Sequence, residues 1–206
     1  PGLVAAGHRV SLGHSAATFD CAIEAVEAGA RHVTHLFNRM SSLDHRAPGL
    51  VGAALSRDDV TVELIGDGQH VHPAVCRAVV AAKSRDRVAA ISDGTSLSGA
   101  AEGSEGTLGG RRVHAVNGVA RLADGTIAGS LATMDAVFRT LVTQVGLSLP
   151  TAAAVCSTTP ARAIGDVDSG CLTEGSRADL VVLDADLRVV ETWVGGVPVY
   201  RAGATA

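Results

Sequence analysis

The sequence VTVELIGDGQHVHPAVCRAVVAAKSRDRVAAISDG, residues 60–94, decides the fold. Two apolar runs in it, residues 60–65 and 88–91, each end at a short polar turn that contains Asp and Gly. Between the runs, Pro73 opens a helical segment that extends to about Lys83, since proline favours the first helical turn. This order of strand, polar turn, helix and strand is typical of parallel β/α units, whose strands are apolar throughout because helices cover both faces.

The same order precedes this stretch. Residues 9–13 form an apolar strand that is followed by an amphipathic helix over about 17–28, and residues 32–35 form the next strand. Only about four β/α units are therefore visible, whereas a closed eight-unit barrel takes about 250 residues. We predict an α/β protein that contains either a small open parallel sheet or half of a barrel.

The segment after Gly94 is rich in Gly, Ser and short β-like runs. Residues 113–116 and 119–122, joined by Asn117-Gly118, are typical of a hairpin with a type I′ turn, and the insertion at 95–130 is long enough to act as a lid. We place a domain boundary near Asp168. Two helices and three strands are predicted in the remainder, at 131–145, 151–164, 178–183, 189–194 and 197–200.

The composition excludes several classes of protein. Hydrophobic residues make up 47% of the 206 positions and charged residues 18%, so the chain can bury a core and is not disordered. The 17 basic and 21 acidic residues give a net charge of −4, which argues against a nucleic-acid partner. Charged residues or Gly interrupt every apolar run well before the roughly 20 residues that a membrane span requires.

The start of the chain and its cysteines indicate the compartment. The first residues lack the pattern of a signal peptide, and the absence of an initiator Met suggests a segment of a longer protein. The four cysteines are scattered without C-x-x-C spacing, which favours reduced thiols in a cytoplasmic protein.

Histidines and an aspartate stand where the predicted strands end. His14, His35 and His70 follow successive strands, and Asp93 follows the fourth. Because the carboxyl ends of parallel strands share one edge, we expect these side chains to converge there. Two imidazoles can hold a divalent metal, and a carboxylate can move the proton of a metal-activated water. Taken singly, a histidine at a strand end is more often a capping or core residue, and Asp93 before Gly is also typical of a plain turn.

Six short motifs stand in order along the chain: Gly13-His-Ser15, Thr34-His-Leu-Phe-Asn38, Arg46-Ala-Pro-Gly-Leu50, Asp67-Gly-Gln-His70, Ser92-Asp-Gly94 and Gly125-Thr-Ile-Ala-Gly-Ser130. Together they resemble the N-acetylglucosamine-6-phosphate deacetylase family of metal-dependent amidohydrolases. The resemblance implies the second half of a TIM-like β/α barrel in residues 1–168, with the hairpin lid at about 95–130. Residues 169–206 are then the C-terminal strands of a small β-sandwich domain.

The resemblance also implies an activity and roles for individual residues. His14 and His35 are expected to bind a divalent metal, with zinc favoured by imidazole ligands and iron, manganese or cobalt left open. Asp93 is expected to take the proton of the activated water and to return it to the leaving amine. The reaction converts N-acetylglucosamine 6-phosphate to glucosamine 6-phosphate and acetate in amino-sugar catabolism and cell-wall recycling. Substrate contacts are expected from Asn38, Arg39, Arg46, Asp67, Gly68, Gln69, His70, Ile127, Ala128 and Gly129.

Within this set, Arg46 resembles a residue that reaches a phosphate bound in the neighbouring subunit, which implies a homodimer. The family's glutamate metal ligand and the histidine that polarises the acetamide belong to the first half of the barrel, and this chain lacks both. Two ligands are fewer than a catalytic zinc site needs, so the chain alone is expected to be inactive. The alternatives are another amidohydrolase, of dihydroorotase or deaminase type, and a truncated chain that only binds sugar phosphate.

Overall fold

A computed structural model describes residues 1–203, so the last three residues of the predicted segment 169–206 lie outside the described part. In the described part, the helices are α1 (Gly2–Ala5), α2 (Phe19–Glu27), α3 (Gly49–Ser56), α4 (Pro73–Lys83), α5 (Met134–Thr143), α6 (Leu149–Ala153) and α7 (Thr159–Ile164). The strands are β1 (Ser11–Leu12), β2 (His32–Val33), β3 (Thr61–Ile65), β4 (Val88–Ile91), β5 (Glu105–Leu108), β6 (Arg111–Val116), β7 (Val119–Arg121), β8 (Ile127–Ser130), β9 (Leu180–Leu183), β10 (Val189–Val194) and β11 (Val197–Arg201).

Strands β1 to β4 form a parallel sheet in chain order, and this arrangement confirms the predicted α/β class. Val62 in β3 pairs with Val33 of β2 on one side and with Val88 of β4 on the other. Because all four strands run in the same direction, their carboxyl ends lie along one edge of the sheet. The segments that follow the four strands therefore meet at this edge.

Aliphatic side chains of the sheet and its helices form the main core. Val62 and Leu64 of β3 are fully buried and belong to the same cluster as Val26 of α2, Val51 of α3 and Leu141 of α5. Burial of side chains of this size contributes roughly 1.5–3 kcal/mol each relative to exposure. The sheet is therefore a well-packed base for the turns at its carboxyl edge.

Strands β1 and β2 are shorter than the predicted runs 9–13 and 32–35. His14 has a φ of 45° and His35 a φ of 23°, and residues in this left-handed region cannot continue an extended strand. Regular pairing therefore stops at Leu12 and Val33, and both histidines lie in the turns beyond the strands.

Strands β5 to β8 form an antiparallel sheet within the predicted insertion 95–130. Asn117 and Gly118 have φ values of 53° and 78°, so the type I′ turn expected between β6 and β7 is confirmed. A parallel bridge joins Gly94 to Ser130. The insertion thus leaves from the end of β4 and returns to the same place.

The predicted helix at 151–164 is interrupted. Helix α6 ends at Ala153, a π-helical turn covers Ala154–Thr158, and α7 follows. Pro160 has no N–H to donate to a carbonyl four residues earlier, so a regular α-helical ladder cannot pass through this position. The helix predicted at 131–145 is also shorter, because the chain stays extended as far as Thr133 (ψ 163°) before α5 begins.

Strands β9, β10 and β11 form a separate antiparallel sheet in the order β11-β10-β9. The strand predicted at 178–183 begins only at Leu180, whereas β10 matches its predicted bounds. Val181, Val197 and Val199 each expose more than half of their surface. Among the described residues, no helix combines the length and hydropathy needed to cross a membrane.

Candidate active site

The turns after β1 and β2 bring two imidazoles together. Nε2 of His14 lies 2.7 Å from Nε2 of His35, and the two ring centroids are 4.6 Å apart. Both residues hold a left-handed backbone, which costs a non-glycine residue about 1–3 kcal/mol and is concentrated at functional sites. The structure therefore directs the same nitrogen of both predicted metal ligands towards one point.

Glu63 in the neighbouring strand β3 supports these turns. Its Oε2 accepts hydrogen bonds from the backbone N–H of His35 (3.1 Å) and from Oγ1 of Thr34 (2.6 Å). The methyl group of Thr34 packs against Gly13, where an added Cβ would come within 2.1 Å of it. One carboxylate thus supports the turn of His35 directly and the turn of His14 through Thr34.

The imidazole pair fits part of a metal site. Converging imidazole nitrogens are the ligand chemistry that zinc, iron and cobalt accept. Nδ1 of His35 is buried and has no hydrogen-bond partner among residues 1–203, so the Nε2 contact and the supported backbone orient this ring. Across the same residues, no three His, Cys, Asp or Glu side chains form a metal-binding group. Since catalytic zinc sites use three protein ligands, the pair needs a further ligand to complete a site.

Asp93 lies in the turn after β4 at the same edge of the sheet, with a φ of 53° and a side chain that is 40% exposed. Its backbone carbonyl accepts a hydrogen bond of 2.8 Å from the N–H of Ser130 in β8. A Cβ on Gly129 (φ 138°) would lie 2.8 Å from that carbonyl oxygen, so only glycine fits there. The returning strand of the insertion therefore packs directly on the turn that presents the Asp93 carboxylate.

Asp67 and His70 form a buried pair beside Asp93. Oδ2 of Asp67 lies 2.7 Å from Nδ1 of His70 and accepts a 2.8 Å hydrogen bond from Oγ of Ser130. Oδ1 of Asp67 accepts from the backbone N–H groups of Gln69 and His70, both at 2.9 Å. Burial by itself raises the pKa of Asp67, but the hydrogen bonds from His70, Gln69 and Ser130 outweigh burial and lower it to about 2. The carboxylate is therefore ionised at neutral pH.

A cavity of about 450 Å³ opens beside His14, lined by His14, Ser15, Ala16, Arg39, Met40 and Ser41. Arg39 reaches it because the turn after β2 contains a left-handed residue at Phe37 (φ 77°) and another at Arg39 (φ 55°). Asn38 lies in the same turn, where its Nδ2 donates to the backbone carbonyls of His35 and Leu36. Arg39 is thus placed beside a predicted metal ligand, where a cation can meet an anionic group of a substrate.

Arg46 lies apart from this cavity, in an exposed turn. The Oδ1 atom of Asp44 accepts hydrogen bonds from the backbone N–H groups of Arg46 and Ala47, and Nη1 of Arg46 lies 2.6 Å from Nε2 of His45. The turn is thus ordered by its own backbone contacts. Arg46 is not among the residues that line the His14 cavity of its own chain.

The remaining predicted substrate residues belong to the turn after β3 and to β8. Gly68 has a φ of 73° and begins the turn, and Gln69 packs near Gly118 of the hairpin. Ile127 and Ala128 are half-buried in β8 next to Gly129. The structure thus brings the hairpin insertion, the turn at Asp67–His70 and the end of β4 into contact.

Two residues of the site were not identified as functional from the sequence. Glu63 is a charged residue inside an apolar strand. A charge at such a position is the one sequence feature that could have indicated a functional role. Ser130 ends the sixth motif but has no chemical signature of its own. Ser130 belongs to the site because its hydroxyl donates to Asp67, which lies 63 residues away in the chain.

The chain is similar over most of its length to named amidohydrolases. The model of the amidohydrolase family matches residues 2–199. The N-acetylgalactosamine-6-phosphate deacetylase of Escherichia coli O157:H7 is 40% identical over 189 residues, which cover 91% of this chain and 50% of that protein. The N-acetylglucosamine-6-phosphate deacetylase of Bacillus subtilis (strain 168) is 36% identical over 183 residues, or 88% of this chain and 46% of that protein.

A solved structure shows the same similarity in three dimensions. It is that of an N-acetyl-D-glucosamine-6-phosphate deacetylase variant from Mycobacterium smegmatis in complex with N-acetyl-D-glucosamine-6-phosphate. Its TM-score is 0.90 at 41% identity, over 95% of this chain and 52% of that chain. The chain therefore spans about half the length of the relatives that it matches. With a family model that matches nearly every residue and relatives well above 30% identity, the chain belongs to the amidohydrolase family.

Proposed function

We propose that this chain forms the C-terminal half of a metal-dependent deacetylase that acts on N-acetylglucosamine 6-phosphate. The observation that carries the proposal is the convergence of the His14 and His35 Nε2 atoms at the sheet edge that also presents Asp93. In this reading, β1 to β4 with their helices form the second half of a TIM-like barrel in residues 1–168. Residues 169–206 then contribute to a small β-sandwich domain.

His14 and His35 hold the metal, together with a ligand from outside this chain. A divalent metal in this position, with zinc favoured, would acidify a water and polarise the acetamide carbonyl. The 40% exposed carboxylate of Asp93 accepts one proton of the attacking water and then donates it to the leaving nitrogen. The amide C–N bond breaks, and acetate and the free amine of the sugar are released.

The phosphate is bound by the turn that follows β2, which reaches the cavity beside His14. Arg39 lines the cavity next to His14, and Asn38 lies in the same turn. A guanidinium and backbone N–H groups are suitable partners for a phosphate dianion. Arg46 of one protomer serves the phosphate in its neighbour, because this exposed side chain does not line the cavity of its own chain. The active protein is then a cytoplasmic homodimer, and Ile127 and Ala128 belong to the lid over the sugar.

The choice of sugar epimer is a second part of the proposal. Some relatives are named for the glucosamine epimer and others for the galactosamine epimer. The protein from E. coli O157:H7 is named for N-acetylgalactosamine 6-phosphate. The relatives disfavour a dihydroorotase-like or deaminase-like activity, since those at 36–41% identity are named for 6-phosphorylated N-acetyl sugars. Deacetylation of N-acetylgalactosamine 6-phosphate is therefore the competing function.

The test measures acetate release by the protein encoded in the complete reading frame that contains these residues, loaded with zinc. We expect turnover of N-acetylglucosamine 6-phosphate and a kcat/KM lower by at least about a hundredfold for the sugar without phosphate. Residues 1–206 alone are expected to release no acetate. Equal rates with and without the phosphate would exclude a phosphate-dependent site, and preference for the galactose epimer would assign the competing function.

A further inference from the structure

Neither oxygen of the Asp67 carboxylate can accept a further hydrogen bond from a substrate. Its side chain is 1% exposed, and its two oxygens accept four hydrogen bonds from within the chain. A carboxylate oxygen accepts about two hydrogen bonds, so the capacity of both oxygens is filled. Asp67 is a predicted substrate contact, but a buried carboxylate with both oxygens occupied is better suited to hold other groups of the protein.

These contacts fix His70. The anionic Oδ2 of Asp67, 2.7 Å from Nδ1 of His70, requires a proton on that nitrogen. The ring is only 6% exposed, and its other nitrogen, Nε2, lies 3.9 Å from Oδ2 of Asp93. An imidazole with one nitrogen tied to a buried carboxylate presents its other nitrogen in a single orientation.

Ser130 links this pair to the turn of Asp93. It is fully buried, its Oγ donates to Asp67, and its backbone N–H donates to the carbonyl of Asp93. The N–H of Ala132 donates to the same Oγ at 3.0 Å, so the hydroxyl hydrogen is directed to Asp67. One residue thereby sets the position of the Asp67–His70 pair relative to the general acid and base.

We propose that Asp67 and Ser130 are positioning residues that act through His70 to orient the carboxylate of Asp93 for proton transfer. This inference rests on the proposed function, because it assigns the internal support of that same site. It changes the role of Asp67 from a substrate contact to a support behind the reacting groups. It also makes the hairpin insertion part of the proton-transfer apparatus, since Ser130 ends β8.

The test compares Asp67→Asn and Ser130→Ala with the parent in the full-length protein, measuring kcat and KM separately. We expect Asp67→Asn to lower kcat by about a hundredfold with KM changed by less than about threefold, since only orientation is lost. Ser130→Ala should lower kcat by about tenfold, because one of four hydrogen bonds to Asp67 is removed. Ser96→Ala is the matched control, since its hydroxyl donates to the Thr107 carbonyl elsewhere in the insertion.

A second readout is independent of activity and also uses the full-length protein. Long-range ¹H–¹⁵N spectra of the imidazoles report which ring nitrogen carries the proton. We expect His70 to be protonated at Nδ1 in the parent and to lose that fixed state in Asp67→Asn, while circular dichroism shows whether the variant is folded. A rise in KM with unchanged kcat, or a parent His70 protonated only at Nε2, would overturn the inference. If the parent releases no acetate, the proposed function fails, but the spectra still decide the Asp67–His70 contact.

Discussion

Nε2 of His14 lies 2.7 Å from Nε2 of His35, although 21 residues separate them in the chain. The pairing follows from adjacent parallel strands that are each followed by a turn with a left-handed histidine. Two neutral imidazoles at this distance share one hydrogen, whereas a metal engages both lone pairs. The two imidazoles are therefore part of a metal site, and a further ligand is needed to complete it.

Asp93→Asn tests the general acid and base in the full-length protein. The amide keeps the size of the side chain but cannot accept and return the proton, so we expect kcat to fall by about 10²–10⁴-fold. Steady-state acetate release measures the change. Activity within about tenfold of the parent would remove Asp93 from this role.

Mixing two inactive variants tests whether Arg46 serves the neighbouring subunit. Arg46→Ala lacks the phosphate contact and Asp93→Asn lacks the proton carrier, so neither homodimer should be active. A heterodimer contains one site with both groups, and random mixing should restore about a quarter of the parent activity. Co-refolded mixtures are compared with each variant refolded alone. Absence of recovery, together with a heterodimer shown by native mass spectrometry, would place Arg46 outside the neighbour's site.

Glu63→Ala tests the support of the imidazole pair. The change removes the acceptor for the His35 N–H and the Thr34 hydroxyl, so we expect the zinc affinity of the full-length protein to fall by roughly 10–100-fold. The zinc affinity of Glu63→Gln should lie between those of the parent and Glu63→Ala, because the amide oxygen of Gln still accepts a hydrogen bond. Competition with a chromogenic chelator measures the affinity, and Glu105→Ala in the hairpin is the control. Unchanged affinity in Glu63→Ala would show that the strand ends hold the histidines without this carboxylate.

Lys83 is a structural cation, and its removal tests stability. Its Nζ donates to the carbonyl of Ala54 at 3.0 Å and to that of Arg57, at the C-terminal end of α3, although burial lowers its pKa. Lys83→Met leaves both carbonyls without this donor, so we expect a loss of about 1–3 kcal/mol in the free energy of unfolding. Urea denaturation measures it. A variant of equal or greater stability would mean that desolvation of the ammonium outweighs its hydrogen bonds.

Acid unfolding reports on Asp67. Its pKa in the folded chain is about 2, below the value of about 3.9 for an unfolded chain. The depressed pKa therefore contributes stability that is complete above about pH 4 and is lost as the pH falls towards 2. We expect a contribution of about 1–2 kcal/mol after allowance for solvent screening. Asp67→Asn should flatten the stability profile between pH 4 and 2, and an identical slope would contradict the assignment of this pKa.

The sequence was sufficient for the parallel sheet and for the strand-end positions of the site. The apolar runs ending at Ile65 and Ile91 are unambiguous because both faces of these strands are covered. The length of β1 and β2 was not predictable from the sequence, since tertiary contacts determine whether a histidine adopts the left-handed backbone conformation. The roles of Glu63 and Ser130 could not be predicted for the same reason, because each residue contacts a partner in another element. The break near Pro160 was signalled by proline itself, yet the π-helical turn before it depends on packing.

The position of a bound metal tests most directly whether His14 and His35 are its ligands. Crystals of the full-length protein loaded with zinc would be measured by anomalous diffraction on both sides of the zinc absorption edge. We expect one strong peak about 2.0–2.1 Å from Nε2 of both His14 and His35, on the side of Asp93. A zinc peak held by other residues, or none beside these two imidazoles, would contradict this expectation.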